Sequence, residues 1–130
     1  MAIVKPFSAY RPRKDIVSQV AALPYDVYNR EEAKKAIEGK PLSFLRIDRA
    51  ETFFDDNVDI YAPCVYEKAR ELLDDMIDRG DYIKDTGDMY YIYELVMDGR
   101  SQTGIVACAS IDDYVNGIIK KHENTREDKE

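Results

Sequence analysis

Asp98-Gly99 constrains this chain more than any other dipeptide, because it stands between two runs rich in aromatic and β-branched residues. A tight type I′ turn needs positive φ at both central positions, and Asp-Gly is among the few pairs that tolerate it. Residues 89–97 and 100–110 are therefore expected to form an antiparallel hairpin. Tyr91 and Tyr93 share one face of it, with Leu95 and Met97 continuing the stripe. A stripe of this kind either packs against a helix or stacks nucleobases; packing into the core is the expectation here.

The most secure helix spans Tyr61 to Arg79. Val65, Ala69, Leu72, Leu73 and Met76 recur at helical spacing, and charged residues fill the opposite side. Pro63 suits the first turn, where its missing N–H is harmless, and Gly80 stops the helix. Val65, Leu72, Leu73 and Met76 are expected to bury against the hairpin sheet. Asn29 and Glu32 have capping-box spacing and open a shorter helix that ends at Gly39. Lys14 to Leu23 reads as a short helix closed by Pro24. Pro41 to Ile47 and Ile3 to Arg11 read as strands. Ile111 to Tyr114 opens a last helical or turn segment. The fold class expected is α+β, with a mainly antiparallel sheet, a central hairpin and covering helices. Residues 1–130 are expected to form one domain.

Charge narrows the partners. Lys and Arg number 19 against 26 Asp and Glu, a net charge of −7. That opposes bulk binding to nucleic acid or anionic lipid. No apolar run approaches the ~20 residues a membrane span needs. The basic opening of Lys5, Arg11, Arg13 and Lys14 reads as a charge-protected strand edge or as a rim that contacts an anion. Glu51 to Asp59 holds four acids and no base. It lacks the spacing of a calcium loop and is expected to be a solvated loop. Cys64 and Cys108, the two cysteines, are not spaced as a metal or redox motif, and both are expected to be reduced, buried and structural in a cytoplasmic protein. His122 is the single histidine, so no zinc site is expected. No Walker loop and no dinucleotide-binding glycine motif is present.

Residues 102–114 and 118–130 change this reading. Gln102-Thr103-Gly104-Ile105-Val106-Ala107-Cys108-Ala109-Ser110-Ile111-Asp112-Asp113-Tyr114 is followed by the charged run that contains His122-Glu123-Asn124-Thr125-Arg126. Lys5-Pro6-Phe7, Leu23-Pro24-Tyr25-Asp26-Val27 and Ser43-Phe44-Leu45-Arg46 stand earlier. Together these blocks resemble domain-of-unknown-function family 1015 over essentially the whole chain. The His-Glu-x-Thr-Arg run and the Leu-Pro-Tyr-Asp-Val block are the most specific parts.

Members of that family are roughly three times as long, so the resemblance implies an N-terminal fragment of a larger protein. They carry a later Asp-Gly-His-His-Arg block, similar to ParB-like and free-serine-kinase proteins, which this sequence does not contain. The fragment is accordingly expected not to be catalytic alone. For the parent protein the resemblance implies a nucleotide-dependent phosphotransferase acting on a small hydroxylated substrate such as serine. Glu123 would be the general base on the substrate hydroxyl. His122 would contact phosphate or orient Glu123, and Arg126 and Lys121 would hold substrate or phosphate. The alternative is a protein-interaction or scaffold module without enzymatic activity, its tyrosine-rich sheet packing on the remainder of the parent chain or on another protein. The oligomeric state is left open.

Overall fold

The computed structural model describes residues 1–121. In chain order the elements are β1 (Val4–Lys5), β2 (Tyr10–Pro12), α1 (Val17–Val20), α2 (Arg30–Ile37), α3 (Leu45–Asp48), α4 (Pro63–Asp78), β3 (Tyr82–Lys84), β4 (Tyr91–Met97), β5 (Arg100–Val106), β6 (Cys108–Ala109) and α5 (Ile111–Val115). Short 3₁₀ turns cover Tyr25–Val27 and Ala50–Phe53. The fold is α+β with antiparallel pairing, as expected. The strands form three two-stranded sheets, β1–β6, β2–β3 and β4–β5, in place of one larger sheet. The chain divides into two compact units, one of residues 1–9 with 85–130 and one of residues 10–84.

The 10–84 unit is the helical one. Pro63 occupies the first turn of α4, and Gly80 follows the helix with φ +76°. The α2 capping box forms as the sequence predicts. Asn29 accepts from the Glu32 N–H, Glu32 accepts from the Asn29 N–H, and Gly39 takes φ +68° just beyond the helix. Ile16, Val20, Met76 and Tyr82 make the buried core, with Leu42, Phe44, Ile47 and Ile77 packed against it.

Two expectations change here. Helix α4 packs on α3, on the Ala50–Phe53 turn and on β3, all within its own unit. Val65 and Met76 are buried, whereas Leu72 and Leu73 are half-buried. Residues 41–47 are not a strand. They turn and enter α3, where the Ile47 and Asp48 N–H groups donate to the Phe44 carbonyl and Arg49 donates to Leu45. The run Leu42-Ser43-Phe44-Leu45 fits either secondary structure by composition, since a short apolar stretch carries no decisive period.

The acidic stretch after α3 is organised by a guanidinium. From the first turn of α2, Arg30 donates to the carbonyl oxygens of Glu51 (3.0 Å), Phe54 (3.4 Å), Asp55 (2.7 Å), Asp56 (3.2 Å) and Val58 (3.0 Å). Its Nε lies 3.3 Å from Asp56 Oδ1. Lys34 reaches the same carboxylate at 2.5 Å and holds Asp56 below the usual carboxylate range. Arg49 pairs with the buried Glu51 carboxylate at 2.5 Å and caps the carbonyl oxygens of Tyr25 and Tyr28. The loop is thus tied down by cations of the chain itself rather than simply solvated.

Tyr82 supplies a prediction. Its phenol is buried and faces Asp48 and Asp81, so burial first and the two carboxylates second push its ionisation above the ordinary tyrosine value. Above about pH 10 the unfolded chain releases this proton more readily than the folded one. The contribution is therefore intact below the ordinary value and is lost as pH rises toward the raised one. Tyr82→Phe is expected to flatten the alkaline decline in stability. The measurement is the urea midpoint of both proteins near pH 8 and near pH 10.5, and an equal decline in the two would refute it.

The other unit is assembled around the N-terminus. Val4 and Lys5 pair with Ala109 and Cys108, while Phe7 bridges to Met89. The N-terminal segment thus pairs with both chain segments that flank the β4–β5 hairpin. Tyr91 fixes this base. Its ring lies 5.1 Å from that of Phe7, and its hydroxyl accepts from the Ala9 N–H at 2.9 Å and donates to Asp85 Oδ2 at 2.7 Å. Helix α5 is capped by Ser110, and its buried Asp113 accepts from the Ile3 N–H at 2.7 Å.

Candidate functional site

From that base β4 and β5 continue as a two-stranded ribbon. Asp98 at φ 52° and Gly99 at φ 74° make the turn that the dipeptide requires. The register runs from Met97↔Arg100 through Leu95↔Gln102 and Tyr93↔Gly104 to Tyr91↔Val106. One face carries Tyr91, Tyr93, Leu95, Met97 and Val106. The other carries Ile92 opposite Ile105, Glu94 opposite Thr103 and Val96 opposite Ser101.

Both faces expose apolar side chains, the second interleaved with Glu94, Ser101 and Thr103, and neither is covered within the described residues. Ile92 is 80% exposed, Ile105 78% and Met97 77%. Tyr93, Leu95 and Val96 are exposed as well, and only Tyr91 is half-buried. The expectation that the tyrosine face packs into the core therefore fails beyond Tyr91. β-Propensity reports fitness for a pleated surface and does not say that something covers it. The sequence signal that was missed is the second face. A two-stranded ribbon with Ile92, Val96 and Ile105 opposite its tyrosine stripe exposes apolar side chains on both faces.

The ribbon is also nearly neutral. Glu94 accepts from Ser101 Oγ at 2.5 Å, and Asp98 and Arg100 lie at the turn end. A chain of net charge −7 thus presents one apolar strip with little charge of its own.

The remaining candidates are less developed. A cleft of about 350 Å³ in the 10–84 unit is lined by residues that include Ser43, Arg46, Asp75, Arg79 and Asp81. Its guanidinium groups are already engaged. Arg79 donates to Asp81 through Nε at 2.9 Å, and its Nη2 lies 2.8 Å from the same oxygen. Arg46 donates to the Pro41 carbonyl oxygen at 2.5 Å and lies 5.1 Å from the centroid of the Phe53 ring. Arg13, part of the basic opening, is held by Asp15 in a two-point contact at 3.1 Å. Cys64 and Cys108 are free and exposed, not buried as expected. Cys64 sits in the exposed first turn of α4, and Cys108 lies in the short terminal strand β6.

His122, Glu123 and Arg126 lie outside the described residues. Lys121 is placed, exposed, with Nζ 4.3 Å from the centroid of the Tyr114 ring. Among the described residues no group of three or more His, Cys, Asp or Glu side chains is placed to hold a metal ion. No described helix is long and apolar enough to cross a membrane.

Residues 4–130 match the model of the family described as "Protein of unknown function (DUF1015)". The chain belongs to that family. The DUF1015 match includes the ribbon and also the charged run from His122 to Glu130. No curated protein and no solved structure matches this DUF1015 chain.

Proposed function

We propose that this DUF1015 region is a protein-docking module without catalytic activity of its own, and that the β4–β5 ribbon is its contact element. The exposure of Ile92 and Ile105 on one face together with Tyr93, Leu95 and Met97 on the other supports this reading. An isolated two-stranded hairpin is marginal in water, and contiguous exposed apolar surface is typical of an interaction site. The partner is protein, with the remainder of a longer parent chain as one source. Two free thiols suit a reducing, cytoplasmic setting.

Hydroxyl-radical footprinting of the dilute 130-residue chain and of the full-length parent protein tests this reading. Ile92, Tyr93, Met97 and Ile105 are expected to react at least several-fold more slowly in the full-length protein. Equal reactivity would remove the ribbon as a contact element.

A second reading concerns the parent protein and rests only on the sequence resemblance of the run that contains His122 to Arg126, since the matched family carries no assigned activity. It keeps the resemblance to ParB-like nucleotide-dependent phosphotransferases. Glu123 takes the proton of a substrate hydroxyl, His122 orients it, and Arg126 and Lys121 hold phosphate. In full-length protein Glu123→Gln is then expected to lower phosphoryl transfer at least ~100-fold with nucleotide binding retained. An unchanged rate removes Glu123 as the base, and a full-length protein that binds no nucleotide removes the reading.

A further inference from the structure

We infer that the occupant of the ribbon is a second copy of this chain, joined edge to edge through β5; this rests on the reading of the ribbon as a contact element. Among the described residues the β4–β5 sheet has only two strands, and both of its long edges carry backbone groups that no described strand pairs. The two-residue turn makes Met97 and Arg100 the closing hydrogen-bonded pair. Alternation then leaves the N–H and C=O groups of Ser101, Thr103 and Ile105 pointing out of β5, and those of Ile92, Glu94 and Val96 pointing out of β4.

The two edges differ in what a two-fold axis would bring together. Antiparallel pairing of β4 with itself about its centre sets Glu94 opposite Glu94 of the second copy, a like-charge contact that opposes association. Pairing of β5 about its centre sets Thr103 opposite Thr103 and Ser101 opposite Ile105, with about six backbone hydrogen bonds. No like charges meet there, and threonine pairs are favourable across strands. Arg100, the one charged residue of β5, falls opposite Val106.

The side-chain rows of the resulting sheet, ordered β4-β5-β5-β4, also agree. Ile92 and Ile105 of one copy line up with Ser101 and Val96 of the other, so a row that is apolar at three of its four positions crosses the sheet twice. Glu94 on each outer edge then discourages further strands, which closes the assembly as an isologous dimer. A contact over one short strand is smaller than a standard interface, so the dimer is a weak one.

Sedimentation equilibrium of the 130-residue chain, run from micromolar concentration upward, reads this out. Thr103→Pro removes an outward N–H that takes no part in the β4–β5 ladder, and proline is tolerated on a strand edge. Thr103→Lys places two like charges at the two-fold axis while setting a cation opposite Glu94 inside the ribbon. Each is expected to raise the dimer dissociation constant at least tenfold while the Asp98-Gly99 hairpin persists by NMR, and added salt is expected to relieve only the lysine effect. If the proline variant loses the hairpin, the lysine variant decides alone. A chain that is monomeric at roughly 1 mM, or a dimer indifferent to both changes, overturns the inference. Protection of the ribbon in the full-length protein would still stand in that case, so failure of the dimer and failure of the docking module are separately visible.

Discussion

Leu45→Ala is expected to destabilise the 10–84 unit by about 3 kcal/mol, within the usual range for emptying a leucine site in a packed core. Leu45 is 2% exposed and is the largest fully buried side chain. It begins α3, the element that packs on both α2 and α4. The unit is small, and a loss of this size is a large share of the ~4–11 kcal/mol that about 75 residues ordinarily provide. The thermal midpoint is expected to fall by roughly 15 °C. Leu45→Met, which nearly conserves volume, should cost less than about 1.5 kcal/mol. Thermal unfolding of the three proteins followed by circular dichroism checks both figures. An alanine effect under about 1 kcal/mol would mean that α3 does not anchor the helices.

The second large effect is at Arg30. Arg30→Met keeps the length of the side chain but strips the donors from five carbonyl groups between Glu51 and Val58. Charge-assisted hydrogen bonds are each worth more than neutral ones, and carbonyls left unpaired in a half-buried loop add their own cost. The expected loss is about 3 kcal/mol. Arg30→Lys retains the charge without the planar fork and should restore only part of it. Urea unfolding gives the magnitude. Hydrogen exchange at Asn57 and Val58 gives the location, since their amides should lose protection together in the methionine variant. A loss spread evenly over the unit, or one below about 1 kcal/mol, would contradict the role assigned to the guanidinium.

The elements that sequence reasoning found are those with local causes. Pro63 and the Val65-to-Met76 spacing fix α4, Asn29 with Glu32 fixes α2, and Asp98-Gly99 fixes the ribbon. Each of these signals acts over a few residues and does not depend on what lies nearby. What was missed depends on distant neighbours. Leu42 to Ile47 could be strand or helix until the Phe44 N–H meets the Val20 carbonyl oxygen. The Arg30 cage left no pattern, because carbonyl acceptors are the same for every residue; only the acid-rich composition of residues 51–59 hinted that a cation was needed. The ribbon's strands were legible but its exposure was not, since alternation shows which residues share a face and says nothing about a cover. Of the residues assigned to phosphoryl transfer, the structure describes only Lys121.

The pairing at the N-terminus sets the order in which this protein can be completed as it is made. Ile3 donates to Asp113, and Val4 and Lys5 pair with residues 109 and 108. Residues 3–5 therefore leave the ribosome more than a hundred residues before their partners exist. Tyr10–Lys84 closes its own contacts in the meantime, from β2 paired with β3 to the helices between them. At typical synthesis rates of ~5–20 residues per second, residues 1–9 spend several seconds as an unpaired strand on a nascent chain. That interval is when chaperones and neighbouring nascent chains can reach it, and it ends only when β6 and α5 emerge.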